Sequence, residues 1–337
     1  MRLLVGGAGA IGGTLAAYFA RAGHQIVCVD VVEEHVRAIA DRGLHVTGPI
    51  DDFVAWPEAC IPDEVAGEFP AILLCVKSQD TEDATAMLEP HLGPQGYVAS
   101  FQNGLNELVI ADIVGRQRTV GAFINFAAEY MEPGVVLYGG RGAVVVGELD
   151  GARTARIEAL HRLCLAFDKG ALLSPDIMSY LWGKLIYGGF LRITALADMS
   201  IADGLEAPEL RPLFVALARE ILAVAGTEGI DPHGFNGFEP DAFRHGADSH
   251  VLTRTFEAMV RFNRASALTH ASVWRDLTIR KRRTDTGPQF APMLRIAATR
   301  GIAAPVTRRL IEIMTEIEEG RLGVGPAALE RLGAGIA

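Results

Sequence analysis

Cysteine is scarce in this chain. Cys28, Cys60, Cys75 and Cys164 are four residues among 337. They show no metal-ligand spacing, and Cys28 and Cys75 fall inside apolar strand-like runs, where a cysteine is a small buried hydrophobe. No disulfide framework is implied, which suits a reducing compartment. The nine histidines, among them His233, His245, His250 and His270, include no pair at convincing ligand spacing, so no metal site is expected. A G-x-S-x-G elbow is missing, which disfavours a serine hydrolase. No apolar run approaches the roughly 20 residues that span a bilayer, so no membrane partner is expected. The apolar start of the chain runs straight into a glycine turn and reads as a strand, not a secretory leader; the expected location is the cytoplasm. A basic surface is lacking too. With a net charge of −10, no nucleic-acid partner is expected, because phosphate binding needs a clustered cationic face. The richest basic stretch, RDLTIRKRR at 275–283, reads as a solvated helix end suited to the helix dipole, with a ligand-facing cationic rim as the other reading. There are no internal repeats and no low-complexity segments.

What is present is concentrated at the start, MRLLVGGAGAIGGTLAAYFARAGHQIVCVD. Residues 3–5 are a short buried strand, Gly7, Gly9 and Gly12 stand as G-x-G-x-x-G, a helical pattern follows to Gly23, and residues 26–29 form a second strand ending at Asp30. Strand, glycine turn, helix, strand, acid is the order of a dinucleotide-binding unit. Gly7 permits the tight turn, Gly9 lets the backbone approach a pyrophosphate, and Gly12 lets the helix pack closely on the strand. The pyrophosphate is expected over Gly7, Ala8, Gly9, Ala10, Ile11 and Gly12, at the positive end of the helix dipole. Asp30 is placed to hold a ribose 2′-hydroxyl and to repel a 2′-phosphate. Val31, Val32, Glu33 and Glu34 offer no cation, and Arg37 is a turn or more away, so NAD is the expected cofactor and NADP the alternative. In the competing reading Asp30 only caps the next helix.

At 337 residues the chain is long enough for two domains. Alternating strands and helices, with apolar runs at 71–76 and 96–100, predict a doubly wound Rossmann-type α/β domain over 1–174. Lys77 and Asn103 follow two of those strands, at the carboxyl ends where ligands bind in such sheets. Residues 57–70, with three prolines, read as loop. From about residue 175 strand signals vanish. Helical periods at 176–198, 206–228, 250–283, 288–300 and 305–319 predict an all-helical domain over 175–337.

Two helical stretches carry polar residues of interest. In SYLWGKLIYGGFLRITALAD, Lys184 lies among Leu181, Trp182, Leu185 and Ile186. An apolar setting lowers a lysine pKa and equips it as a proton donor; a snorkelling lysine is the plain alternative. In HASVWRDLTIRKRRTD, Ser272 and Asp276 are four apart and share a helix face, either turned into a cleft or simply exposed.

The chain resembles the ketopantoate reductases (2-dehydropantoate 2-reductases) over nearly its whole length. The matching pieces are GGAGAIGG at the start, LLCVKSQDT at 73–81, FQNGLN at 101–106, LWGKL at 181–185, TALAD at 194–198, SVWRD at 272–276 and GIAAPVTRRLIEIMTEIE near the end. The resemblance implies hydride transfer from a nicotinamide to the ketone of a 2-oxo acid, or the reverse from a 2-hydroxy acid. It implies that Lys184 is the catalytic lysine and that Asn103 lies near nicotinamide and substrate. It also implies that Lys77 belongs to the cofactor site, that Ser272 holds substrate, and that Asp276 is the acid one turn later. A homodimer is the assembly it suggests.

This sequence departs from the family pattern in places. Asparagines expected four and eight residues after the lysine are Gly188 and Arg192, and a glutamate expected after the Ser/Asp helix is replaced by Thr284 and then Asp285. Arg192 is a candidate carboxylate clamp; alternatively it points to solvent. The changed hydrogen-bond set leaves three other functions open. One is a D-2-hydroxyacid dehydrogenase for a branched or aromatic acid, one an opine or 3-hydroxyacid dehydrogenase, and one a nucleotide-binding sensor without turnover.

Overall fold

A computed structural model describes residues 1–266 and 268–336. They form two compact units, one of 1–102 with 106–177, the other of 103–105 with the chain from Met178 onward.

The first unit is built on β1 (Arg2–Gly6), α1 (Ala10–Arg21), β2 (Gln25–Val29), α2 (Glu33–Arg42), β3 (Leu44–Thr47), β4 (Phe53–Ala55), β5 (Glu58–Cys60), β6 (Phe69–Leu74), α3 (Thr81–Leu88) and β7 (Leu92–Ser100). It continues through α4 (Asn106–Val114), β8 (Thr119–Ile124), β9 (Ala127–Glu132), β10 (Val135–Gly140), β11 (Val144–Glu148), α5 (Ala155–Phe167) and β12 (Leu172–Leu173). Eight strands make the main sheet in the order β12-β11-β8-β7-β6-β1-β2-β5. It is parallel except where β11 runs against β8. The strands read as continuous apolar runs because helices cover both faces. Leu3, Leu4, Val5, Ile72, Leu73 and Leu74 are all fully buried, each worth roughly 1.5–3 kcal/mol on transfer from water.

The register aligns the strand ends. Gly6 pairs with Val29 on one side and Leu74 on the other, and Leu74 pairs with Ser100. Everything beyond that row is turn. The third apolar strand ends at Leu74, two residues earlier than its composition predicts; Cys75 continues only one step, donating its N–H to Gly6 O at 2.8 Å. The proline-bearing stretch 57–70 contributes the edge strand β5, which pairs with β2.

A second sheet, β4-β3-β10-β9, joins segments some ninety residues apart, with His45 opposite Val135.

The second unit is helical: α6 (Ile177–Leu196), α7 (Ile201–Glu206), α8 (Arg211–Thr227), α9 (Ser249–Arg264), α10 (Ser272–Thr278), α11 (Thr286–Thr299), α12 (Pro305–Glu318) and α13 (Pro326–Gly333). The helix predicted over 250–283 is two helices. Ser266 Oγ accepts the N–H of Leu268 at 3.2 Å, a local bond that competes with helix continuation, and Ala271 is extended. The second piece ends at Thr278, well short of residue 283. Phe190, Phe214, Phe238, Phe243 and Phe256 pack ring on ring at the centre of this unit.

Candidate active site

The glycine turn leaves β1 at the centre of the row of strand ends. Gly7 has φ +88°, a conformation only glycine adopts without strain. A Cβ on Gly12 would lie 1.9 Å from Gly7 O, whereas a Cβ on Gly9 would meet nothing within 4 Å. Gly7 and Gly12 therefore pack the helix onto the turn, and Gly9 borders open space. No side chain caps α1 and its first turn holds no acid, so the N–H groups of that first turn keep no side-chain acceptor of their own. These residues fit the pyrophosphate of a dinucleotide.

Asp30 follows β2 in the same row. Its Oδ2 accepts the Ala8 N–H at 2.9 Å and its Oδ1 the Val32 N–H at 3.0 Å. The residue that caps α2 is Val32, with no side-chain bond, so Asp30 is tied to the glycine turn and does not cap the helix. The surroundings are acidic. Glu33 and Glu34 are exposed, and burial, then the charges of Asp30, Glu34 and Glu132, raise the Tyr130 phenol above its ordinary range. Val31 and Val32 lie exposed beside the acid.

Lys77 is exposed just after β6. Around it runs a buried amide and hydroxyl network that the sequence pattern did not single out. Gln102 Nε2 donates to Val76 O at 2.9 Å and to Thr81 Oγ1 at 2.8 Å. Thr81 donates to Asn106 Oδ1, and Asn106 Nδ2 donates to Ser78 Oγ. The network fixes the loop after β6 to the residues on either side of Asn103. Its signal in the sequence was the density of small polar residues in KSQDT and QNGLN. Asn103 itself is exposed and its segment belongs to the second unit, where Gly104, at φ +96°, lies against Gln289 of α11.

In the second unit, α6 supplies the lysine. Of its twenty residues only Tyr180, Lys184, Gly188 and Leu191 are half-open; the rest are sealed in the core. Those four follow helical spacing and form one lane. Leu181, Trp182, Leu185 and Ile186 are at most 2% exposed, so Lys184 is a half-open residue between fully buried apolar neighbours in the helix.

Arg192 does not point to solvent. It is 4% exposed. Nε donates to Thr286 Oγ1 at 3.0 Å, one terminal nitrogen to Gly188 O at 2.9 Å and the other to Asp285 Oδ1 at 3.2 Å. Burial pulls its pKa down and the Asp285 charge opposes that pull. The chain of bonds continues from Thr286 to Thr284 and on to Glu318. A Cβ on residue 188 would meet Arg192 at 3.3 Å. Glycine four residues after the lysine, arginine eight after it and aspartate at 285 are thus one coupled arrangement. A bidentate grip by Arg192 on a substrate would require loosening it from Asp285.

Ser272 and Asp276 share helical spacing on α10 but not an environment. Ser272 is exposed at the helix start, whereas Asp276 is buried. Arg280 and Arg282 both pair with Asp276, at 3.1 and 2.9 Å. The basic stretch 275–283 is therefore neither a solvated helix end throughout nor a free cationic rim: part of it neutralises a buried carboxylate. Among the described residues no cluster of His, Cys, Asp or Glu could hold a metal, and no helix is long and apolar enough to cross a membrane.

The chain is an oxidoreductase of the class that acts on CH–OH groups with a nicotinamide cofactor, as its relatives show. The chain belongs to the ketopantoate reductase family: the model described as ketopantoate reductase PanE/ApbA matches residues 3–151, and its C-terminal counterpart residues 176–318. It is 27% identical to a 2-dehydropantoate 2-reductase of Mesorhizobium japonicum over 68% of this chain and 77% of that one. Among solved structures it is similar to a D-mandelate dehydrogenase with NADH and anilino(oxo)acetate, at TM-score 0.80 and 19% identity over 95% of this chain and 99% of that one. It is also similar to a PanE/ApbA family ketopantoate reductase of Ralstonia eutropha, at TM-score 0.78 and 24% identity over the same shares.

Proposed function

We propose that this protein reduces the ketone of a 2-oxo acid with NADH and that Lys184 donates the proton. The observation that carries the reading is the half-open lane of α6, on which one lysine stands in an otherwise buried, largely apolar helix. An ammonium held there is poised to hydrogen-bond a ketone oxygen, to stabilise the alkoxide that develops on it, and to release a proton to it. The nicotinamide supplies the hydride when bound. Gly7 to Gly12 cradle the pyrophosphate, Asp30 takes the ribose hydroxyls, and the exposed Val31 and Val32 offer an apolar surface to the adenine. The acids around Asp30 favour NADH over NADPH. Lys77 belongs to the cofactor site, and Asn103 and Ser272 contact substrate. Asp276, already paired with two arginines, holds the shape of its helix, and Arg192 shapes the substrate pocket while Asp285 holds it. The partners are small 2-oxo and 2-hydroxy acids, the location is the cytoplasm and the assembly a homodimer.

Gly188 favours a second reading of the substrate. With no side chain there, and with the Arg192 guanidinium turned back over the helix, the pocket suits a branched or aromatic 2-oxo acid, as in a D-2-hydroxyacid dehydrogenase. The test is oxidation of NADH and NADPH by the purified protein with ketopantoate beside branched and aromatic 2-oxo acids. Fast turnover of ketopantoate supports the first reading; turnover of the other acids alone supports the second. NADH binding with no turnover of any oxo acid would overturn both.

A further inference from the structure

Ala8, in the middle of the glycine turn, is held at both of its backbone polar groups, which belong to the two peptides on either side of it. Its N–H donates to Asp30 Oδ2 at 2.9 Å. Its carbonyl oxygen lies 2.9 Å from Nε2 of His35, a residue in the first turn of α2 that is 1% exposed. The other ring nitrogen, Nδ1, accepts the N–H of Gly134 at 2.9 Å, from the tight turn between β9 and β10. A backbone N–H can only donate. Nδ1 therefore carries no hydrogen, and Nε2 must be the donor to Ala8. The ring is further packed edge-on against Tyr130, with centroids 5.1 Å apart. One neutral tautomer, one orientation and two backbone partners are thus specified.

The consequence lies one bond further along. In a trans peptide the carbonyl and the following N–H point in opposite directions, and there is no cis peptide among the described residues. Fixing the Ala8 carbonyl on His35 fixes the Gly9 N–H away from it. Gly9 is the residue whose missing side chain leaves open space. We infer that His35 is a positioning residue for the dinucleotide: it holds the Ala8–Gly9 peptide so that the Gly9 N–H, and not the Ala8 carbonyl oxygen, faces the phosphates, and the β9–β10 turn braces it through Gly134. With that peptide reversed, a carbonyl oxygen would meet an anionic phosphate. The inference rests on dinucleotide binding at the glycine turn and is independent of the substrate.

The test is a set of variants, His35→Gln, His35→Asn and His35→Leu, with titrations of NADH, ADP and adenosine and steady-state kinetics on the 2-oxo acid that the wild type turns over. A hydrogen bond to a charged group is at stake. His35→Leu is expected to raise the KM for NADH and the Kd for ADP about tenfold, a factor of ten in Kd being what such a bond supplies. The Kd for adenosine, which has no phosphate, and kcat at saturating NADH should stay within about threefold. The glutamine side chain carries both a donor and an acceptor and should restore most of the ADP affinity; asparagine, one carbon shorter, should restore less. Equal weakening of ADP and adenosine would show a general loss of packing and overturn the inference. So would an effect on kcat alone, or unchanged ADP binding in a folded His35→Leu protein. Should the leucine variant not fold, the glutamine and asparagine variants decide it: the same ADP affinity in both overturns the role, and a graded loss of ADP affinity without loss of adenosine affinity supports it.

Discussion

Arg192 and Asp285, 93 residues apart in the chain, meet at 3.2 Å with their side chains 5% and 11% exposed. A buried pair of this kind adds little net stability when intact but leaves an uncompensated charge when halved. Asp285→Ala should therefore destabilise the protein by about 3 kcal/mol, read as a lower midpoint in urea with an unchanged slope. The double variant Arg192→Met with Asp285→Leu should recover most of that loss. A single variant as stable as wild type would show that the pair carries no such linkage.

Asp30 gives a prediction about the cofactor. Asp30→Asn removes the charge and keeps a carbonyl acceptor for the Ala8 N–H. The ratio of kcat/KM with NADPH to that with NADH should rise by about tenfold, since a like charge near a 2′-phosphate is removed. An unchanged ratio would mean that the neighbouring glutamates, or another residue, set the preference.

Gly9 and Gly12 separate packing from binding. Gly12→Ala would press a methyl group onto Gly7 O, 1.9 Å from where it must sit, so both the melting temperature and NADH affinity should fall. Gly9→Ala meets nothing in the protein itself. It should melt like wild type and still bind NADH at least about tenfold more weakly, because the methyl group occupies the room of the pyrophosphate. Normal NADH binding by folded Gly9→Ala protein would place the phosphates elsewhere.

Lys184→Ala should lower kcat by about 10² to 10⁴, the usual contribution of general acid–base catalysis, with the Kd for NADH unchanged. Turnover near that of the wild type would remove Lys184 from the mechanism.

Alkaline stability follows from buried phenols. Burial, then the Asp51 hydrogen bond, pushes Tyr18 up to about 12; burial pushes Tyr138 and Tyr187 to about 12 as well. The folded protein holds these protons more tightly than the unfolded chain, where a tyrosine titrates near about 10. Their stabilisation is fully present below that pH and is lost as pH rises through about 12. Thermal melts should show the transition falling steeply above about pH 10, and less steeply in Tyr18→Phe.

The first thirty residues were legible because each step of the unit is local: an apolar run, a glycine turn, a helical period and an acid follow one another within a few residues. α6 was legible for the same reason, as one unbroken apolar period around a lysine. The pairs that were not legible join distant segments. His35 to Gly134 spans 99 residues and Arg192 to Asp285 spans 93, and nothing in the periodicity of either segment names its partner. The same holds for the second sheet, whose strands are too short to declare their pairing. The break between α9 and α10 has no signal in the sequence, because no glycine or proline marks it; beyond the Ala265 cap the Ser266 side chain takes the Leu268 N–H instead. Asp276 lies on a helix as its spacing predicts, but its burial was not legible, because its two arginines come from the stretch that reads as solvated and the chain turns back after Thr278.

The lane on α6 also bounds how this protein can change. Sixteen of the helix's twenty residues are buried, so substitution there is answered first by stability. Positions 180, 184, 188 and 191 are the four at which a new side chain reaches space outside the core. Lys184 is the residue proposed to carry the chemistry, and a side chain at position 188 would meet the Arg192 guanidinium. Under the proposed function, Tyr180 and Leu191 are the positions freest to vary what the lane presents, while a side chain at Gly188 needs the Arg192 guanidinium to give way slightly. Under the proposed function, a library confined to those positions should explore new substrates with little loss of folded protein, and one spread along the whole helix should sample mainly destabilised variants.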